Sequence, residues 1–222
     1  MDLVNKLKVI LEEHSNLENK APMETYMKNK FKFLGIKSPE RKNLLRQFIS
    51  ENKGEICYEC IDFVQKLYDF PEREFHYCAM EITDKFLRNK YEIKDIDLIK
   101  RMICDHSHWD SVDFIAKHIL GNYLLCYPDK TKEIISEFSS SNNIWLNRSA
   151  ILFQLGYKDK TNCNLLFSLC QTHANSKEFF IKKAIGWSLR EYAKVNPQSV
   201  SKFVKSNKLS TLSQKEALRN IT

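Results

Sequence analysis

The sequence predicts an all-α fold built as a helical-repeat solenoid, and three observations predict it. Apolar residues recur at helical spacing almost everywhere, and no convincing alternating strand appears. Only five Gly and five Pro occur in 222 residues, too few for a turn-rich all-β chain. Three segments also align on an Ala followed by Met or Ile: Phe75–Met80, Leu146–Ile151 and Phe180–Ile185. Repeated helical pairs that bury their apolar faces on one another make a solenoid, whose concave side suits a long ligand; a generic helical bundle is the plainer alternative. A chain of this length fits one domain, residues 1–222.

Taken in order, the predicted helices cover 2–14, 22–33, 39–51, 56–69, 71–89, 95–105, 108–126, 129–139, 143–157, 162–173, 177–195, 197–206 and 213–220. Pro22, Pro39, Pro71, Pro128 and Pro197 each precede an amphipathic run, where a missing N–H costs little. Ser38 and Asn196 are expected N-caps. Ser107 with Asp110, and Ser213 with Glu216, have capping-box spacing.

Composition narrows the function. Lys and Arg number 35 against 28 Asp and Glu, a formal charge of +7, which favours a polyanionic partner. No apolar run approaches the ~18 residues of a membrane span, and the charged N-terminus does not resemble a signal peptide. The odd number of cysteines, most beside apolar residues, points to a reducing cytoplasm. Cys57-Tyr58-Glu59-Cys60 lacks a second pair at zinc-finger spacing, and the Cys104–His108 run lacks a matching ligand set. No metal or cofactor is therefore expected. Phosphate-binding glycine loops and nucleophile elbows are also missing.

Three constellations remain. On helix 177–195, Ile181, Ile185, Leu189 and Tyr192 form the core stripe, while Phe179, Lys183, Trp187, Arg190 and Lys194 share another face. Cations interleaved with an aromatic suit a nucleic-acid backbone, although a solvated basic face with a tucked Trp would read the same. On helix 143–157, Arg148 interrupts the stripe Ile144, Ile151, Leu152 and Leu155. A phosphate or a structural carboxylate would serve it equally well. Finally, Asp113 lies one turn past Trp109, beside the core face Val112, Ala116 and Ile119. A rim carboxylate paired with a Lys or Arg is the commoner fate of an Asp, and the local pattern alone does not point past it.

These segments resemble the AlkD-type DNA alkylation repair glycosylases of bacteria over almost the whole chain. The likeness is densest at Tyr26–Asn29, Phe33–Ile36, Pro71–Phe75, Trp109–Asp113, Asn143–Leu146, Ala150–Leu155, Ser176–Ile181, Lys183–Trp187 and Leu189–Lys194. The resemblance implies a HEAT-like solenoid with a concave DNA-binding face. It implies excision of cationic N3- and N7-alkylated purines from duplex DNA, without flipping the base into a pocket. It assigns catalysis to Asp113 with Trp109 and Trp187 flanking the sugar, and DNA contacts to Arg148. Lys183, Arg190, Lys194 and Tyr26 are the further expected DNA-binding residues, in a monomer. A DNA-binding scaffold of the same fold without catalysis is the alternative.

Overall fold

The structure is a computed structural model that describes residues 2–221. Among those residues there is no β-strand, only an isolated bridge between Lys32 and Glu72. The helices sort into two compact units, residues 1–92 and 93–222.

The first unit holds α1 (Leu3–Glu13), α2 (Leu17–Tyr26), α3 (Ser38–Tyr58), α4 (Cys60–Tyr68) and α5 (Arg73–Leu87). Helix α2 corrects the reading of Pro22 as a helix start. It begins at Leu17 because the Asn16 side chain accepts the Asn19 N–H, and Pro22 lies inside it. It stops by Met27, where Lys28 and Asn29 turn left-handed at φ 56° and 55°. The expected helix over 27–33 is thus absent. Ser38 is the first residue of α3 and Lys37 its N-cap, so the predicted Ser38 cap does not form. The predicted break after 51 survives as a kink. Asn52 leaves helical φ/ψ, and its side-chain amide donates to the Phe48 carbonyl.

Glu74 on α5 organises this unit. It is fully buried and accepts N–H bonds from Leu34, Gly35 and Ile36 at 3.0–3.1 Å. Burial raises its pKa, opposed by those backbone donors. Gly35 is required at the turn. It has φ +90°, and a Cβ there would stand 2.0 Å from the Asn16 carbonyl oxygen.

The second unit holds α6 (Asp95–Cys104), α7 (Trp109–Phe114), α8 (Gly121–Cys126), α9 (Thr131–Ser140), α10 (Ile144–Leu152), α11 (Cys163–Thr172), α12 (Phe179–Ala193), α13 (Pro197–Ser206) and α14 (Thr211–Ala217). The predicted continuous helix 108–126 is divided: a π-helical segment, Ile115–Leu120, joins α7 to α8. Neither expected capping box forms. His108 is the N-cap of α7, and Ser107 donates to the Cys104 carbonyl instead. Ser210 caps α14, leaving Ser213 inside the helix, where its hydroxyl donates to the Lys182 carbonyl. Asn196 does cap α13 as predicted.

Helix α12 is central to this unit. It packs against α10, α11, α13 and α14. Its predicted stripe is the core: Ile181, Ile185 and Leu189 are at most 1% exposed, and Tyr192 packs against them. The three aligned alanines, Ala79, Ala150 and Ala184, are each fully buried on α5, α10 and α12. A small residue at the same register of each helix allows close packing, which is the physical content of the repeat.

Candidate active site

The site lies within the second unit, where α7, α10, α12 and α14 meet. Helix α7 carries Trp109 and Asp113 one turn apart. Its inner face, Val112 with Ala116 beyond it, is fully buried, which pins Asp113 at the boundary. Helix α10 brings Arg148 across from it. Here the guanidinium meets a carboxylate, one of the two partners its place in an apolar stripe left open. Arg148 Nε donates to Asp113 Oδ1 at 2.6 Å, and the terminal Nη2 donates to Oδ2 at 2.8 Å. The remaining nitrogen, Nη1, donates to the Phe180 carbonyl.

This is a fork-on-fork ion pair at the edge of the interior, with side chains 5% (Arg148) and 16% (Asp113) exposed. Burial pushes the Asp113 carboxyl above its usual range, and the Arg148 hydrogen bonds and charge pull it back. Beneath the pair lies an aromatic floor. The buried His108 ring meets Trp145 and Phe180 edge-on, each at 5.7 Å, and Trp145 and Phe180 are 5.1 Å apart. The Arg148 guanidinium stands 5.8 Å from the Phe180 ring centre.

Helix α12 supplies the opposite wall. Phe180, Lys183, Trp187 and Arg190 follow one another at helical spacing, and Phe179 is exposed beside them. Trp187 is half-buried against the core and presents its remaining face to the pocket. The pocket encloses about 450 Å³ and is lined by Trp109, Asp113, Arg148, Trp187, Lys183 and Arg190, with Phe179, Phe180 and Glu216 completing it. The structure therefore brings together Asp113, Trp109, Trp187, Arg148, Lys183 and Arg190. Lys194 is not among the pocket residues. It lies at the C-terminal end of α12, exposed and bonded to Glu191. Tyr26 is exposed at the end of α2, in the first unit.

Two pocket residues escaped the sequence reading. Phe180 lies one turn before Lys183 and could have been found by the same rotation that found Trp187. Glu216 had no such signal. It lies opposite Gly186 of α12, and its carboxylate accepts from Lys183 Nζ at 2.6 Å and also pairs with Arg190. The pocket is thus less cationic than the bare stripe suggested: Lys183, Arg190 and Arg148 are offset by Asp113 and Glu216, leaving one net positive charge.

Among the described residues, no group of three or more His, Cys, Asp or Glu side chains is arranged to hold a metal ion. No disulfide joins any of the seven cysteines, and three of them are buried. No described helix is long and apolar enough to cross a membrane.

The DNA alkylation repair enzyme family matches residues 7–221. Among solved structures, the chain is similar to a predicted DNA alkylation repair enzyme from Enterococcus faecalis. The two share 34% identity and a TM-score of 0.83, with 94% of this chain and 97% of that one covered. No curated protein matches the chain. A helical fold, a near full-length family match and a similar solved structure at 34% identity agree, and the chain belongs to the DNA alkylation repair enzyme family.

Proposed function

We propose that this protein hydrolyses the N-glycosidic bond of cationic N3- and N7-alkylated purines in duplex DNA. The observation that carries the reading is the half-buried, Arg148-held Asp113 carboxylate in a pocket walled by Trp109 and Trp187.

An alkylated N7 or N3 makes the purine a cationic leaving group, so no general acid is needed to protonate it. This differs from ordinary glycosidases, which use two carboxylates. What remains is an oxocarbenium-like sugar. Asp113 stabilises its positive charge and orients or deprotonates the attacking water. The tryptophan faces attract the same charge and exclude water, which strengthens the carboxylate's field. Arg148 fixes the carboxylate in place. Lys183 and Arg190 meet the phosphate backbone, and Lys194 and Tyr26 are further DNA contacts. Residues 1–222 act as one DNA-binding domain of the helical-repeat type, a monomer without a cofactor. The lesion stays in the duplex and is approached from the sugar.

A substrate series at fixed DNA sequence tests this: N7-methylguanine, a bulky N7-alkylguanine, and neutral uracil or hypoxanthine. Both cationic lesions should be released at comparable single-turnover rates and the neutral bases left in place, because discrimination resides in the bond that breaks. Efficient release of a neutral base, or rejection of the bulky cation, overturns the mechanism. The non-catalytic scaffold predicts duplex binding with no base release at all.

A further inference from the structure

Glu216 presents a problem that the proposed function leaves open. A carboxylate on the wall of a pocket that receives a polyanion repels it, so its presence needs a compensating role. The geometry points to one: we propose that Glu216 positions Lys183 and Arg190 as a two-cation clamp for a single DNA phosphodiester beside Trp187. This inference rests on the reading of the pocket as a duplex-DNA site.

Several observations carry it. Lys183 and Arg190 stand seven residues apart on α12, about 10 Å along the axis, with Trp187 on the turn between them. Both reach the same carboxylate. The order of exposure matters: the Glu216 side chain is 11% exposed, against 37% for Lys183 and 21% for Arg190. The anion therefore lies beneath its two cations, which are the groups an incoming phosphate meets first. One ion pair occupies only part of the donor capacity of an ammonium (three N–H) or a guanidinium (five), so each cation retains donors for a second acceptor. A clamp with one buried carboxylate and two outer cations stays net positive and stays in place.

Glu216 itself has little freedom. Helix α14 crosses α12 at Gly186, where an added Cβ would stand 2.5 Å from Glu216 Cβ and 3.0 Å from the Ser213 carbonyl oxygen. The Ser213 hydroxyl donates to the Lys182 carbonyl one residue before Lys183, tying the two helices at the same level. Unrestrained Lys and Arg side chains each carry substantial rotamer entropy. Anchoring both before DNA arrives moves that cost from the binding step to folding. Glu216 is thus a positioning residue, acting through Lys183 and Arg190.

The test uses the full chain with Glu216→Gln, Lys183→Ala/Arg190→Ala and the triple variant. It reads thermal melting, the salt dependence of binding to undamaged duplex, and single-turnover release of N7-methylguanine. Glu216→Gln should bind undamaged duplex about two- to fivefold tighter at low salt, the scale of removing one near-surface charge, with a steeper log–log salt slope. It should release base roughly tenfold more slowly once bound, because the clamp no longer holds its register. Both effects should disappear in the Lys183→Ala/Arg190→Ala background. Glu216→Asp retains the charge one methylene further back and should recover part of the rate. If Glu216→Gln lowers the melting temperature too far to assay, Glu216→Asp alone carries the test, with a smaller loss expected. An unchanged rate and salt slope, or effects that persist without the two cations, would overturn the clamp. If the wild type binds duplex but releases no base, the glycosylase reading fails, and the salt slopes still decide the role of Glu216. No duplex binding by the wild type overturns both.

Discussion

Replacing Arg148 with Met removes a charge while keeping an apolar stem of similar length, and its consequences follow from the geometry. Arg148 makes three hydrogen bonds, two to Asp113 and one to the Phe180 carbonyl. With both partners this little exposed, removing one leaves a buried carboxylate without compensation. Breaking a buried pair in this way costs roughly 3–5 kcal/mol. Asp113 is 16% exposed and recovers some hydration, so the lower end applies. For a chain of this size that corresponds to a fall in melting temperature on the order of 10 °C. The pH dependence supplies the sign. Burial already raises the Asp113 pKa, and Arg148 is the cause that opposes it. Without Arg148 the folded-state pKa rises further above the unfolded value, so proton uptake favours the folded form. The mutant's deficit should therefore shrink as pH falls from above the folded pKa toward the ordinary carboxylate range. Activity should follow the opposite course, its acidic limb moving to higher pH as more Asp113 is protonated. The assays are thermal melting and single-turnover base release across a pH series, with Asp113→Asn/Arg148→Met as control. That double variant has no buried charge left and should melt above Arg148→Met. Unchanged melting and an unmoved acidic limb would refute the ion pair as drawn.

Three further outcomes are expected. Asp113→Asn should keep duplex affinity and lose on the order of 10²–10³ in base release, the usual cost of deleting one preorganised electrostatic group; near-normal single-turnover release would remove Asp113 from the mechanism. Lys183→Ala and Arg190→Ala should each weaken binding to damaged and undamaged duplex alike, as read by anisotropy titrations, and flatten the salt slope by about 0.9 for every phosphate no longer neutralised. Gly186→Ala sets about 1 kcal/mol of helix propensity against overpacking of about 1–3 kcal/mol; since the new methyl would meet Glu216 Cβ at 2.5 Å, overpacking should win and the melting temperature should fall.

How much of this was legible in the sequence divides along physical lines. Helical periodicity located the core stripe of α12, and small-residue register located Ala79, Ala150 and Ala184, because both depend on spacing within one helix. The same local logic gathered Trp109 with Asp113, and Lys183 with Trp187 and Arg190. It failed where a side chain's partner is distant in the chain. Arg148 could be read as needing an anion, but the choice of Asp113, 35 residues earlier, is a tertiary fact. Glu216 was misread for the same reason. Its spacing from Ser213 matched a capping box, yet the carboxylate turns toward Lys183, 33 residues back. Local caps also misled at Pro22. There Asn16, an equally good cap, starts the helix five residues earlier, and α2 buries no side chain of its own to signal where it begins.

The arrangement of Asp113 and Arg148 also answers an objection to a carboxylate so closely paired. In the proposed reaction, a guanidinium beside the sugar repels the developing cation, so the pair must present its negative end. The side chains have that order: Asp113 is 16% exposed and Arg148 5%. Each Asp113 oxygen accepts one Arg148 N–H, and an ionised carboxylate has about four lone-pair sites in all, so both oxygens retain acceptor capacity for water or the sugar. Arg148 in turn is committed behind the carboxylate to the Phe180 carbonyl and lies over its ring. In that proposal the pair acts as a fixed dipole with its negative end toward the sugar, beside the aromatic rings of His108, Trp145 and Phe180. A lone carboxylate at that depth would be driven toward its protonated form by burial. Arg148 opposes that shift from behind, and in the proposed reaction a carboxylate held this way needs no reorganisation as the glycosidic bond lengthens.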